Sequence, residues 1–188
     1  DWLANVGNLA ECTAPLVTYI ADLARHGAKT VRTVYGCKGW TAHTVANVWG
    51  FTAPSEGMGW GLFPLAGSWI ATHLWTQYEY TLDKDYLRDT AYPLLKGNAE
   101  FLLDYMVEDP NTGYMVTGPC VSPENSFRYQ GWELGASRMT TCDRVLAHEI
   151  MSACVQASDI LGVDKDFADS LRLALAKFPP FRVNSYGG

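Results

Sequence analysis

Charge is scarce in this chain. Asp, Glu, Lys and Arg together make up 18% of its 188 residues, below the usual quarter, and the balance is acidic, with 14 Lys plus Arg against 20 Asp plus Glu. Basic runs are missing altogether. A protein that tracks phosphates needs clustered Lys and Arg, so a nucleic-acid partner is disfavoured. Cysteine pairs are missing too: Cys12, Cys37, Cys120, Cys142 and Cys154 contain no C-x-x-C spacing. That speaks against a zinc ribbon and demands no disulfide framework, leaving mostly buried thiols with room for one bridge. His26, His43, His73 and His148 lack metal-ligand spacing. No G-x-S-x-G elbow, P-loop or dinucleotide fingerprint occurs. The longest uncharged stretch, Gly57 to Tyr78, is broken by Gly59, Gly61, Pro64, Gly67, His73 and Gln77. It reads as a loop followed by a buried helix, and not as a membrane span. The abrupt start at Asp1-Trp2 and the end at Tyr186-Gly187-Gly188 both read as cut from something longer.

What the chain has is apolar and aromatic. Hydrophobic residues reach 48% and aromatics 13%, enough for a sizeable core and too rich for disorder. Leu9 to His26 has a helical period that Gly27 can end, with a second short helix over Ala28 to Tyr35. Cys37 to Leu62, rich in Gly, Thr, Ser and Pro, reads as a long loop of the kind that carries function. Phe63 to Thr81 is helical again. Asp83 caps a further helical stretch to Tyr105, which Pro93 must kink or restart. Asp109 to Gly113 is a turn, Tyr114 to Thr117 a short strand and Gly118 to Gly135 irregular. Arg138 to Leu161 and Asp164 to Phe178 complete the helices. Leu82-Asp83-Lys84-Asp85-Tyr86 returns as Val163-Asp164-Lys165-Asp166-Phe167. This echo is either a common turn used twice or a repeated helical hairpin, the unit of α/α barrels. No strand–helix alternation supports a Rossmann or TIM fold.

Several residues invite chemistry. Trp40, Trp49 and Trp60 sit among Gly and Thr in the long loop. Either they anchor the loop, or they offer flat apolar faces to sugar C–H groups. Trp69 and Trp75, on a helix, read as core. Glu124, in Ser122-Pro123-Glu124-Asn125, is the first charge after a neutral run from Pro110. Held among apolar groups, such a carboxyl has a raised pKa and can donate a proton near neutral pH, as a glycosidase general acid must. A solvated loop Glu, or one capping the next helix, is the plain alternative. Asp143 stands where a helix begins, so a cap explains it fully. His43 could hydrogen-bond a sugar hydroxyl or a backbone carbonyl.

Gly39-Trp40-Thr41-Ala42-His43, Val48-Trp49-Gly50, Trp60-Gly61, Ser68-Trp69 and His73-Leu74-Trp75 resemble glycoside hydrolase family 95. Tyr92-Pro93-Leu94-Leu95, Val107-Glu108-Asp109-Pro110, Ser122-Pro123-Glu124-Asn125 and Thr141-Cys142-Asp143 continue the match in the same order. The resemblance implies an all-α fold, with residues 1–188 a fragment, about half, of one (α/α)6 barrel. It implies an inverting exo-hydrolase releasing α-1,2-linked L-fucose from an oligosaccharide or glycan, with α-L-galactosidase as the alternative. It further implies Glu124 as general acid, and His43, Thr44, Trp49, Trp60 and Asp143 around the sugar. No metal or organic cofactor is expected, and a secreted, periplasmic or cell-surface location is. The family's base machinery, an N-x-N run and a D-x-N-F-G run, is not in these residues, so the fragment alone would lack its base. Without a base it would act as a sugar-binding α/α toroid. Thr44 stands where related sequences often carry His, which would leave room for the extra hydroxyl of L-galactose.

Overall fold

The computed structural model describes residues 2–183. Asp1 and the Tyr186–Gly188 end lie outside them.

The chain is mostly helical. Helix α1 (Trp2–Val6) and a 3-10 turn (Ala10–Thr13) lead into α2 (Ala14–Thr30), with Pro15 in the first turn where its missing N–H costs nothing. The expected break at Gly27 does not occur. The helix runs on, widens into a π turn over Val31–Tyr35, and stops at Gly36, which takes the left-handed conformation. Gly27 serves another purpose: an added Cβ there would meet the backbone of Thr41. Residues 37–57 are irregular, as expected, and end in a single turn, α3 (Met58–Gly61).

Helix α4 (Ala66–Thr81) buries Gly67, Ser68 and Ala71, and its Gly67 packs against Thr41 and Ala42 of this segment. Gly67 N donates to Ala42 O at 3.1 Å. Asp83 caps the next turn as expected: its carboxylate accepts from the backbone N–H of Asp85 and Tyr86. That turn, α5 (Lys84–Tyr86), passes into a π turn at Leu87–Ala91 and then into α6 (Tyr92–Tyr105). Proline cannot donate to the preceding turn, and Pro93 sits where the regular helix restarts. The second copy of the echo differs. Asp164 has φ of 51° and makes no cap; its carboxylate accepts instead from Tyr92 Oη at 2.9 Å and Lys96 Nζ at 2.8 Å.

The region between α6 and the last two helices holds three short antiparallel ribbons, two of them built from the stretch from Gly118 onward that was expected to be irregular. The strand expected at Tyr114–Thr117 is β2 (Met115–Val116), paired with β1 (Val107–Glu108) around the Asp109–Gly113 turn. β3 (Cys120–Val121) pairs with β6 (Ala136–Ser137), and β4 (Phe127–Tyr129) with β5 (Trp132–Leu134). Gln130 and Gly131 both have positive φ, as a type I′ two-residue hairpin turn requires. The peptide bonds after Gly118 and Pro123 are cis.

Helices α7 (Thr141–Leu161) and α8 (Lys165–Leu175) close the chain. α7 packs on α4, α6 and α8. The core joins Ile20 and Leu23 of α2, Leu74 of α4, Leu95 and Leu102 of α6, Ile150 and Met151 of α7, and Leu171 of α8. Cys120 and Cys154 are buried thiols, each pushed up to about 12 chiefly by burial, and all five cysteines are free. Among the described residues no helix is long and apolar enough to cross a membrane.

Candidate functional site

The segment from Gly39 to Thr44 lies in a slot between helices. Trp40 is buried, and its Nε1 donates to Leu94 O of α6 at 2.8 Å. Asn98 Nδ2 donates to Trp40 O at 3.0 Å, and Asn98 Oδ1 accepts from Ser68 of α4 at 2.7 Å. Trp40 is therefore the loop's anchor, the plainer of its two readings. Thr41 Oγ1 donates to Pro64 O. This bracing fixes the two residues that follow.

His43 is 1% exposed. Its Nδ1 lies 2.7 Å from Thr52 O, and its Nε2 2.5 Å from Tyr35 Oη. A carbonyl can only accept, so Nδ1 carries the proton and Nε2 accepts from the tyrosine. Burial lowers the His43 pKa, opposed by the bond to Thr52, and raises that of Tyr35. The imidazole is engaged on both nitrogens, and burial favours its neutral form, so the ring holds the loop closed. Thr44, one residue on, is exposed, and its Oγ1 donates to Trp60 O at 2.7 Å.

Glu124 stands at the third position of a tight turn. Asn125 N donates to Ser122 O at 2.6 Å, and Asn125 Nδ2 donates to Ser122 Oγ at 3.3 Å. Ser and Asn thus brace the turn from both sides, while Pro123 fixes its own φ. The Glu124 side chain is exposed. The apolar enclosure expected for it exists on one flank only.

Two cavities meet at Glu124. One, of about 510 Å³, is lined by Thr44, Phe63, Trp69, Ile70, His73 and Glu124 among others. The second, of about 460 Å³, is lined by Gly59, Trp60, Glu124, Asn125, Ser126, Glu133 and Gly135. The structure therefore brings Glu124, Thr44 and Trp60 together. Trp49 is 86% exposed but stands apart, in a cavity with Arg25, His26 and Lys29.

Asp143 is 0% exposed and lines neither cavity. Its carboxylate accepts from Thr117 Oγ1 at 2.6 Å and from Thr140 Oγ1 at 3.1 Å, and its own N–H donates to Thr140 Oγ1 at 3.1 Å. Burial raises its pKa, opposed by hydrogen bonds from Thr117, Cys120 and Thr140. Its observed work is to start α7 and tie it to the β2–β3 segment.

Sequence reasoning missed three contributors. Trp69, read as core, is 53% exposed and lines the first cavity. His73, read as structural, lines it one turn further along α4, with a pKa lowered by burial. The spacing 66, 69, 70 and 73 held the sign of a single helix face, yet could not say what that face looks onto. Glu133 comes from a hairpin whose alternating Phe127-Arg128-Tyr129 and Trp132-Glu133-Leu134, around Gln130-Gly131, was a readable signal. Among the described residues no group of three or more His, Cys, Asp or Glu could hold a metal ion.

With this arrangement in hand, the sequence matches the family described as "Glycosyl hydrolase family 95 catalytic domain" along residues 1–188. The chain belongs to that family. "Alpha-L-fucosidase 2" of Arabidopsis thaliana is 39% identical over 189 residues, covering 99% of this chain and 22% of that protein. "Probable alpha-fucosidase A" of Aspergillus niger is 37% identical over 128 residues, covering 66% of this chain and 16% of that protein. The chain thus spans about a fifth of the length of the curated family members it matches.

Proposed function

We propose that this chain carries the acid side of an inverting exo-α-L-fucosidase site, with Glu124 as the general acid. The observation behind this reading is Glu124's position at the tip of a braced turn, between two cavities, in a member of a family with fucosidases among its relatives. A carboxyl between two sugar-sized spaces can reach the oxygen that joins one sugar to the next. Protonating that oxygen lets the leaving sugar depart as a neutral alcohol. In an inverting enzyme a water attacks from the opposite face, and acid and base stand about 6.5–9.5 Å apart to admit it. By family resemblance the base is the N-x-N and D-x-N-F-G machinery, absent from these residues. The helices here form roughly half of an (α/α)6 barrel in this reading, and residues 1–188 are part of one catalytic domain. The substrate is a secreted or cell-surface glycan ending in L-fucose, α-1,2-linked, met outside the cytoplasm.

The cavity holding Thr44 suits fucose. Phe63, Ile70 and Trp69 supply apolar surface for the C6 methyl group. The same position of Thr44, exposed and short, supports a second reading as α-L-galactosidase. Its hydroxyl spends its one hydrogen on Trp60 O, so towards substrate the oxygen can only accept, with both lone pairs available to a substrate hydroxyl.

The test is Glu124→Gln in the full-length protein, assayed on a fucosylated trisaccharide. General acid catalysis contributes about 10²–10⁴-fold, so kcat should fall by at least ~100-fold while the fold, checked by circular dichroism, persists. Near-normal turnover would remove Glu124 from the mechanism. A chain that binds the trisaccharide yet releases no fucose in either form would instead be a sugar-binding module.

A further inference from the structure

We infer that the second cavity, between Trp60 and the β4–β5 hairpin, is the subsite for the leaving sugar, and that Glu133 is a specificity-determining residue within it. This rests on the reading of Glu124 as the acid.

The two cavities that share Glu124 expose polar and apolar surface in similar proportion, but differ in the side chains that line them. Phe63, Ala66, Trp69, Ile70 and Pro123 give the first an apolar wall, matched to a deoxy sugar with a methyl group. Asn125, Ser126, Glu133 and the backbone of Gly59 and Gly135 give the second a polar wall, matched to a fully hydroxylated hexose. Trp60 supplies one flat face; its indole lies against Gly57, where φ is 76° and an added Cβ would come within 2.7 Å of Nε1. An acid that serves a bond between two sugars must touch both, and among the described residues Glu124 alone lines both spaces.

Glu133 is held ready for this role. Ser126 Oγ donates to Glu133 Oε1 at 2.6 Å, and the register places Arg128 directly across the hairpin. One carboxylate oxygen is fixed by protein, which turns the group as a whole and orients the other as an acceptor for paired hydroxyls. The same bond ties the hairpin to the turn bearing Glu124, because Ser126 lies two residues beyond it. The depth of the leaving-sugar space is therefore set by the hairpin, and its position relative to the acid by Ser126.

Inhibition by the leaving sugar tests this directly. The full-length protein is assayed on L-fucosyl fluoride, whose leaving group is too small to fill the second cavity, with free lactose as competitor. Glu133→Gln should weaken lactose inhibition about tenfold, the loss expected for one hydrogen bond to a charged group. It should also raise KM for fucosyllactose more than it changes KM for the fluoride. Ser126→Ala, a milder change that frees Glu133, should shift both readouts in the same direction. Lactose inhibition unchanged in both variants would overturn the inference. Failure of the acid assignment reads differently, as undiminished kcat of Glu124→Gln on fucosyllactose.

Discussion

Replacing Gly67 by Ala sets two effects of opposite sign against each other. On propensity alone the change stabilises: Ala is favoured over Gly by about 1 kcal/mol in a helix interior, an upper bound for Gly67 in the first turn of α4. On packing it does the reverse. A Cβ at Gly67 would lie 2.7 Å from Ala42 N, 2.7 Å from Thr41 Oγ1 and 2.9 Å from Thr41 Cα. Non-bonded carbon atoms are most stable at about 3.5–4.0 Å, so three neighbours overlap at once. Two are backbone atoms and cannot swing away. Overpacking of this kind costs about 1–3 kcal/mol, here toward the upper end. Displacing the segment also stretches the Gly67 N–H bond to Ala42 O, worth about 1 kcal/mol. After the propensity gain, a net loss of about 3 kcal/mol is expected. For a cooperative unit of about 150–250 residues that is roughly 6–12 °C in Tm, and less if the unit is larger. Urea unfolding followed by tryptophan fluorescence measures it, with Gly59→Ala as control, since nothing lies within 4 Å of a Cβ there. Gly67→Ala as stable as the wild type, or more so, would mean that residues 41 and 42 do not rest on α4.

Two further outcomes follow from the same geometry. Asp143 has a pKa raised by burial, so the folded state holds its proton more tightly than the unfolded chain. Its contribution to stability is therefore full below the ordinary value of 3.8 and is lost as pH rises through the higher folded value. Asp143→Asn should remove that acid-side component, so the gap between the urea midpoints of the two forms should change as pH rises from 3.8; a gap that stays constant with pH would mean that Asp143 is solvated. Thr44→His should narrow the first cavity, which Thr44 lines. If that cavity admits L-galactose, release from aryl α-L-galactosides should fall about tenfold or more relative to matched fucosides. An unchanged ratio would place Thr44 away from the C5 substituent.

The helices were legible because burial imposes its period on α2, α4, α6, α7 and α8, and Asp83 capped where its side chain said it would. Gly27 was not. A glycine reads equally well as a stop or as a point of close approach, and only the arrival of Thr41 decides between them. Asp164 copies Asp83 in sequence but not in role, because Tyr92 and Lys96 of a distant helix claim its carboxylate. The site was legible in part. Glu124, Thr44 and Trp60 meet, drawn from the two irregular segments. His43 and Asp143 are buried behind the surface, where their types, a ring with two nitrogens and a carboxylate, serve the frame. Trp49 and Trp69 exchanged expectations: a loop position did not bring Trp49 to Glu124, and a helical position did not bury Trp69. Periodicity tells which residues share a face, and says nothing of whether that face meets protein or open space.

The slot that holds Gly39 to His43 also bears on how such a site can change over time. Every backbone step up to His43 is pinned by a glycine contact, a buried indole or a two-sided imidazole. Thr44 is the first residue released from that grip. Loop insertion or remodelling upstream of it would break the packing of three helices. Selectivity at this wall can therefore be rewritten cheaply by exchanging one side chain at position 44, and hardly at all by moving the chain that carries it.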